Sequence, residues 1–127
     1  MGMSRRIEAF RLTIANQPEA GGISYATHVQ NVGWQDAVSD GAIAGTSGRS
    51  LRVETLRVNL TGDIANSYSV WYRVHSQDFG WLGWACDGAD AGTTGLSKRA
   101  EAVEMQILPQ GQVPMGYDAG LAACVEG

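Results

Sequence analysis

The chain has 127 residues, of which 44% are hydrophobic and 17% charged, with 17 glycines, three prolines and a net charge of −4. That length gives one domain with a sizeable core, and so apolar a composition excludes a disordered chain. The acidic balance, without any Lys/Arg block, argues against a nucleic-acid partner or an anionic membrane surface, and no apolar run approaches the roughly 18 residues of a membrane helix. Glycines without a Gly-x-y period exclude collagen. Scattered among short apolar runs, they read as tight turns of an all-β protein. Cys86 and Cys124 stand in no CxxC or Cys/His cluster, so no metal site is implied, no cofactor motif is visible, and the sequence does not decide whether the two cysteines pair.

Taken in chain order, Phe10, Leu12 and Ile14 alternate on one face and predict a strand over 5–14. Ile23, Tyr25 and Val29 form the next stripe, with His28 and Gln30 on the opposite face. A turn-rich stretch follows. It contains Gly33-Trp34, Asp40-Gly41 and AGTSG, too rich in glycine for a helix, and Asp-Gly is a tight-turn signal because glycine accepts positive φ. Over 50–60, Leu56, Val58 and Leu60 face one way and Val53, Thr55, Arg57 and Asn59 the other, again a strand. The succession then restarts with Val70, Tyr72 and Val74 and ends on Val103, Met105 and Ile107, ahead of a tail at 109–127.

Self-comparison explains the recurrence. Residues 23–60 align with 70–107 at an offset of 47 without gaps, and fifteen of the 38 pairs are identical. Tyr25, His28, Gln30, Gly33 and Trp34 recur as Tyr72, His75, Gln77, Gly80 and Trp81, and Asp40-Gly41 as Asp87-Gly88. Segment 2–14 matches 48–60 and 95–107 as a partial third copy. The expected organisation of 1–127 is therefore a single domain holding a partial repeat (2–14), two full repeats (23–60 and 70–107) and a tail (109–127), cut from a longer array. A unit of a few short strands cannot bury its apolar face alone, so the repeats must share a core. A β-prism-like or β-trefoil-like arrangement of antiparallel strands would achieve this.

Glu8, Glu54 and Glu101 fall in phase with the apolar stripes, two residues after Arg6, Arg52 and Arg99. A carboxylate pointing inward must be paired or hydrogen-bonded, so Arg-x-Glu reads as a structural clamp. His28 and His75 recur with glutamine and without a serine or cysteine nucleophile, which favours structural histidines over general bases.

The stretches HVQNVGWQDAVSDGAIAGTSGRSLRVETLRVNL and YRVHSQDFGWLGWACDGADAGTTGLSKRAEAVEMQIL closely resemble the clostridial hydrophobic repeat with conserved tryptophan, the ChW repeat. The pattern is H-V-Q-N-x-G-W-Q-x-W, then D/N-G-x-x-A-G-T-x-G, then R-x-E-A-I-x-I. Its second tryptophan is present as Trp84 and replaced by Ala37 in the first full repeat. The resemblance implies a secreted or cell-surface bacterial protein and a role in attachment to cell wall, polysaccharide or host surface.

Tryptophans beside Asp and Gln in loops suit a sugar site, where the ring stacks on a pyranose and polar groups take the hydroxyls. The candidate ligand-binding residues are Trp34, Gln35, Asp36, Asp40, Trp81, Trp84 and Asp87. Trp34 and Trp81 also read as plugs between repeats. Trp84 reads as an exposed contact ring, which would make the second full repeat the stronger binder. Asp40 and Asp87, each alone among glycine and alanines, are too few oxygens for calcium and read better as turn-formers. The expectation is a non-catalytic module that binds cell-wall or other glycan through weak, repeated sites. The alternative is a protein–protein adhesion or assembly module anchored by tryptophans.

Overall fold

The structure is a computed structural model and describes residues 7, 9–14, 20–45, 51–96 and 98–126. Arg6, Glu8 and residues 46–50, the end of the AGTSG loop, lie outside the described residues. The fold is all-β. Its strands are β1 (Ala9–Phe10), β2 (Gly22–Val29), β3 (Gly33–Trp34), β4 (Val38–Ser39), β5 (Ala44–Gly45), β6 (Val53–Thr61), β7 (Tyr68–Ser76), β8 (Gly80–Trp81), β9 (Ala85–Cys86), β10 (Ala91–Thr94), β11 (Ala100–Pro109) and β12 (Cys124–Glu126). One helical turn, α1 (Ile64–Ser67), links the two full repeats.

Each repeat is built on a long antiparallel pair, β2 with β6 and β7 with β11, and the turn-rich middle folds back as short strands on the first member. His28 pairs with Trp34 as His75 pairs with Trp81. The AGT strand leaves its own repeat and pairs with the last strand of the preceding one. Phe10 stands opposite Ala44, and Leu56 opposite Ala91. Gly41 N–H donates to the Leu12 carbonyl, and Gly88 N–H to that of Val58, at 2.8 Å each. Three residues equivalent in the alignment are also joined: Val53 N–H donates to Ile7 O (2.7 Å) and Ile7 N–H to Ala100 O (2.8 Å). The ladder of the first full repeat is thus extended by a strand of the second.

The core lies where these strands face one another. Tyr25, Val29, Val53, Leu56, Val58, Val70, Tyr72 and Val74 are almost fully buried, and each such side chain contributes roughly 1.5–3 kcal/mol. Tyr25 and Tyr72 also tie the repeats together. The Tyr25 hydroxyl receives Leu12 N–H (3.0 Å) and donates to Ala42 O, and the Tyr72 hydroxyl donates to Ala89 O. Burial pushes the Tyr72 phenol up to about 12.

Period-two alternation fails at one point in each repeat. Residues 53–56 are buried in succession. Val29 pairs with Val53 and His28 with Thr55, so Glu54 is the extra residue of a β-bulge, and Glu101 occupies the same position between Ala100 and Ala102. A bulge re-aims the side chain it carries, which brings Val53, expected on the other face, into the core.

Candidate functional site

The bulge points each glutamate at the arginine and histidine of its own repeat. The side chain of Glu54 is 8% exposed, accepts from Arg52 Nε at 2.8 Å and lies 3.4 Å from His28 Nδ1. Glu101 lies 3.2 Å from both Arg99 and His75 Nδ1. Each histidine then meets the Gly-Trp ring edge-on, His28 against Trp34 at 5.5 Å and His75 against Trp81 at 5.3 Å. An arginine from a different strand in each repeat also lies over the indole. Arg57 of β6 lies 3.8 Å over Trp34, whereas Arg73 of β7 lies 4.6 Å over Trp81. Arg57 is held by Asp90, which raises its pKa, and Arg73 by Glu104 at 2.6 Å. The histidines, arginines and glutamates thus set the orientation of the two indoles.

Asp40 and Asp87 adopt left-handed backbone, φ 48° in both. Their carboxylates accept Ile23 N–H (2.9 Å) and Val70 N–H (3.0 Å), and their own N–H groups donate to the carbonyls of the same residues (3.1 Å each). Both lock the Asp-Gly turn onto the first strand of the repeat. The Gln35 carbonyl is likewise committed, to Gly45 N–H at 3.1 Å. Asp36 is exposed. Cys86 and Cys124 are free thiols, and burial beside Asp87 pushes Cys86 up to about 11.

The exposures of the tryptophans reverse the expectation. Trp84 is 8% exposed and Trp81 38% exposed, with Trp34 half-buried. Trp84 is therefore no open stacking ring, and Trp81 is no plug between repeats. Arg73 lies 4.8 Å over the Trp84 ring, and the tail reaches the residue before it. Gly83 N–H donates to Ala122 O at 2.8 Å, Gly92 N–H donates to Ala123 O at 3.0 Å, and β12 runs parallel to β10. This strap lies against Gly83, whose neighbours Leu82 and Trp84 are buried, while the counterparts Gln35, Asp36 and Ala37 outline an open groove of about 310 Å³. Its other walls are Ser24, Tyr25, Ala26, Arg57 and Asn59, which periodicity alone did not single out. Their signal lay in the alignment, where Ser24, Ala26 and Ala37 face Trp71, Arg73 and Trp84.

Among the described residues no group of three or more His, Cys, Asp or Glu could hold a metal ion, and no helix is long and apolar enough to cross a membrane. Neither the curated proteins nor the solved structures contain a match to the chain. The model of the clostridial hydrophobic W family matches residues 28–62 and 75–109. Each match runs from the histidine of the Glu-His-Trp cluster to the end of the long closing strand, and together they span more than half of the sequence; the chain belongs to the ChW family.

Proposed function

We propose that the chain is a non-catalytic attachment module of a secreted or cell-surface bacterial protein and that it holds its parent to a glycan-rich surface. The observation that carries this reading is a repeated one. Both Gly-Trp loops expose an apolar residue at the same position, Val32 (45%) and Phe79 (44%), beside an indole fixed by histidine and arginine. A ring held at a surface by polar neighbours stacks on the apolar face of a pyranose. Two such loops in one chain give weak sites that add by avidity. The residues around them are committed to holding one another, and among the described residues the polar partners of both histidines are glutamates rather than a hydroxyl or thiol, which favours binding over catalysis.

The protein–protein alternative draws on the tail, where Val113 is 53%, Met115 95% and Leu121 48% exposed. Pull-down on purified bacterial cell walls, before and after enzymatic removal of their glycan, separates the two. The glycan reading expects binding that disappears with the glycan and falls at least fivefold in Trp81→Ala. Binding that survives glycan removal, and falls instead in Met115→Ser, refutes it in favour of assembly.

A further inference from the structure

The two repeats share a backbone plan but not an outer face. In the second repeat, Trp71 stands opposite Gln106 and Arg73 opposite Glu104. Trp84 lies 4.8 Å from Arg73, and Tyr117 of the tail packs edge-on against Trp71 at 5.3 Å. That face is full. In the first repeat the same positions pair Ser24 with Asn59 and Ala26 with Arg57, and Ala37 replaces the second indole. Three large side chains have become three small ones, and the open groove of about 310 Å³ is the space they leave.

We propose that this groove is a subsite for one neutral saccharide ring. The assignment deepens the attachment reading and rests on it for the source of the sugar. The volume stands at the lower end of the roughly 300–1,000 Å³ range of small-molecule sites, a size for one ring rather than a length of polymer. The lining is mostly polar. Ser24 supplies a hydroxyl, Asn59 and Gln35 amides, Asp36 a carboxylate and Arg57 N–H donors, around the small apolar floor of Ala26 and Ala37. The Gln35 oxygen is occupied, so its NH₂ is the group it has to offer. Charge decides against an anion: Arg57 is already neutralised by Asp90, and Asp36 would face any second negative group. A hydroxyl, by contrast, donates to Asp36 and accepts from Arg57 or Asn59.

The sister repeat also decides against a peptide strand. There the tail backbone docks against Gly83, where an added Cβ would meet the Leu121 carbonyl oxygen at 2.1 Å. The first repeat carries Asp36 at that position. A chain docked in the same way would collide with it.

The test uses the whole chain and four named sugars: glucose, galactose, N-acetylglucosamine and N-acetylgalactosamine, each titrated into isotope-labelled protein. The expected result is saturable shifts of the Ala26, Ala37 and Asn59 resonances with at least one of them, at millimolar concentration. Ala37→Trp, which rebuilds the side chain of the sister repeat, should weaken that binding at least tenfold. Asp36→Ala, an exposed change that spares the fold even should the tryptophan fail to fit, should weaken it at least threefold. Absence of these shifts with all four sugars, or Ala37→Trp binding like the parent, overturns the subsite. The outcome is separable from that of the attachment reading. Wall binding that falls in Trp81→Ala but not in Ala37→Trp refutes the groove and leaves attachment standing. Sugar shifts in the groove, with wall binding indifferent to glycan removal, do the reverse.

Discussion

Replacing Trp84 by alanine tests the account of the second repeat directly. The ring is 8% exposed, has Arg73 over it and follows Gly83, against which the tail docks. Truncating a buried tryptophan costs about 3–5 kcal/mol through lost burial and the cavity that remains. Its Nε1 is buried without a hydrogen-bond partner. An orphaned donor of this kind carries a penalty of about 1–3 kcal/mol, which disappears with the ring and places the net cost near the bottom of the range, at about 3 kcal/mol. For a domain of this size that lowers Tm by roughly 10 °C. Trp81→Ala is the control. That ring is 38% exposed and its identified contacts are His75 and Arg73, an exposed cation–π pair worth about 0.5–1 kcal/mol. Thermal and urea unfolding of the two variants should therefore differ by about 2 kcal/mol, with Trp84→Ala the weaker fold. Equal stability of the two, or a more damaging Trp81→Ala, would refute the burial argument.

Three further outcomes follow from the same contacts. Glu54→Ala leaves Arg52 and His28 around an emptied bulge and should cost about 3 kcal/mol in urea unfolding, more than Glu101→Ala, whose carboxylate is 19% exposed against 8%. Gly83→Ala places a Cβ on the Leu121 carbonyl, so it should detach 117–126 and expose it to limited proteolysis, while the equivalent Asp36→Ala leaves the proteolysis pattern unchanged. Burial raises the Tyr72 phenol from 10.0 to about 12. The unfolded chain ionises first, so this contribution is complete below pH 10 and is lost as pH climbs from 10 to 12. Stability should fall by roughly 2–3 kcal/mol across that window, and unfolding of Tyr72→Phe should lack this component.

What could be read from the sequence was what each repeat settles locally. The strands at 23–29, 53–60, 70–76 and 100–107 follow from alternation, and the Asp-Gly turns from the positive φ they require. Glu54 is buried and Glu101 half-buried, but period two could not reveal the bulge that aims them at the histidines, because a bulge is a property of two paired strands. The tryptophans were misjudged for a related reason. The surroundings of Trp84 are set by residues apart from it in the chain, Arg73 over its ring and a strap some forty residues downstream that docks on Gly83 through Ala122. Nothing in the neighbourhood of Trp84 carries that information. Arg57 and Arg73 escaped notice because they reach equivalent indoles from non-equivalent strands, and an alignment of the repeats places them in different columns.

The residues identical between repeats and those that differ divide by position in the fold. Tyr25 and Tyr72, Asp40 and Asp87, and Gln30 and Gln77 hold strands to one another through matching bonds in both copies, and Arg-x-Glu pairs in both, through Nε in Arg52 and a terminal nitrogen in Arg99. The large differences gather on the outer face, at Ser24 and Trp71, Ala26 and Arg73, Asp36 and Gly83, and Ala37 and Trp84. These changes are coupled. Gly83 admits the tail and Trp84 is buried next to it, while Asp36 bars such a strand and Ala37 leaves the space open. Exchanging one member alone should therefore damage either face: tryptophan at 37 fills the groove without a strap beside it, and aspartate at 83 removes the strap docked beside Trp84. One scaffold thus carries a filled outer face in one repeat and an open groove in the other.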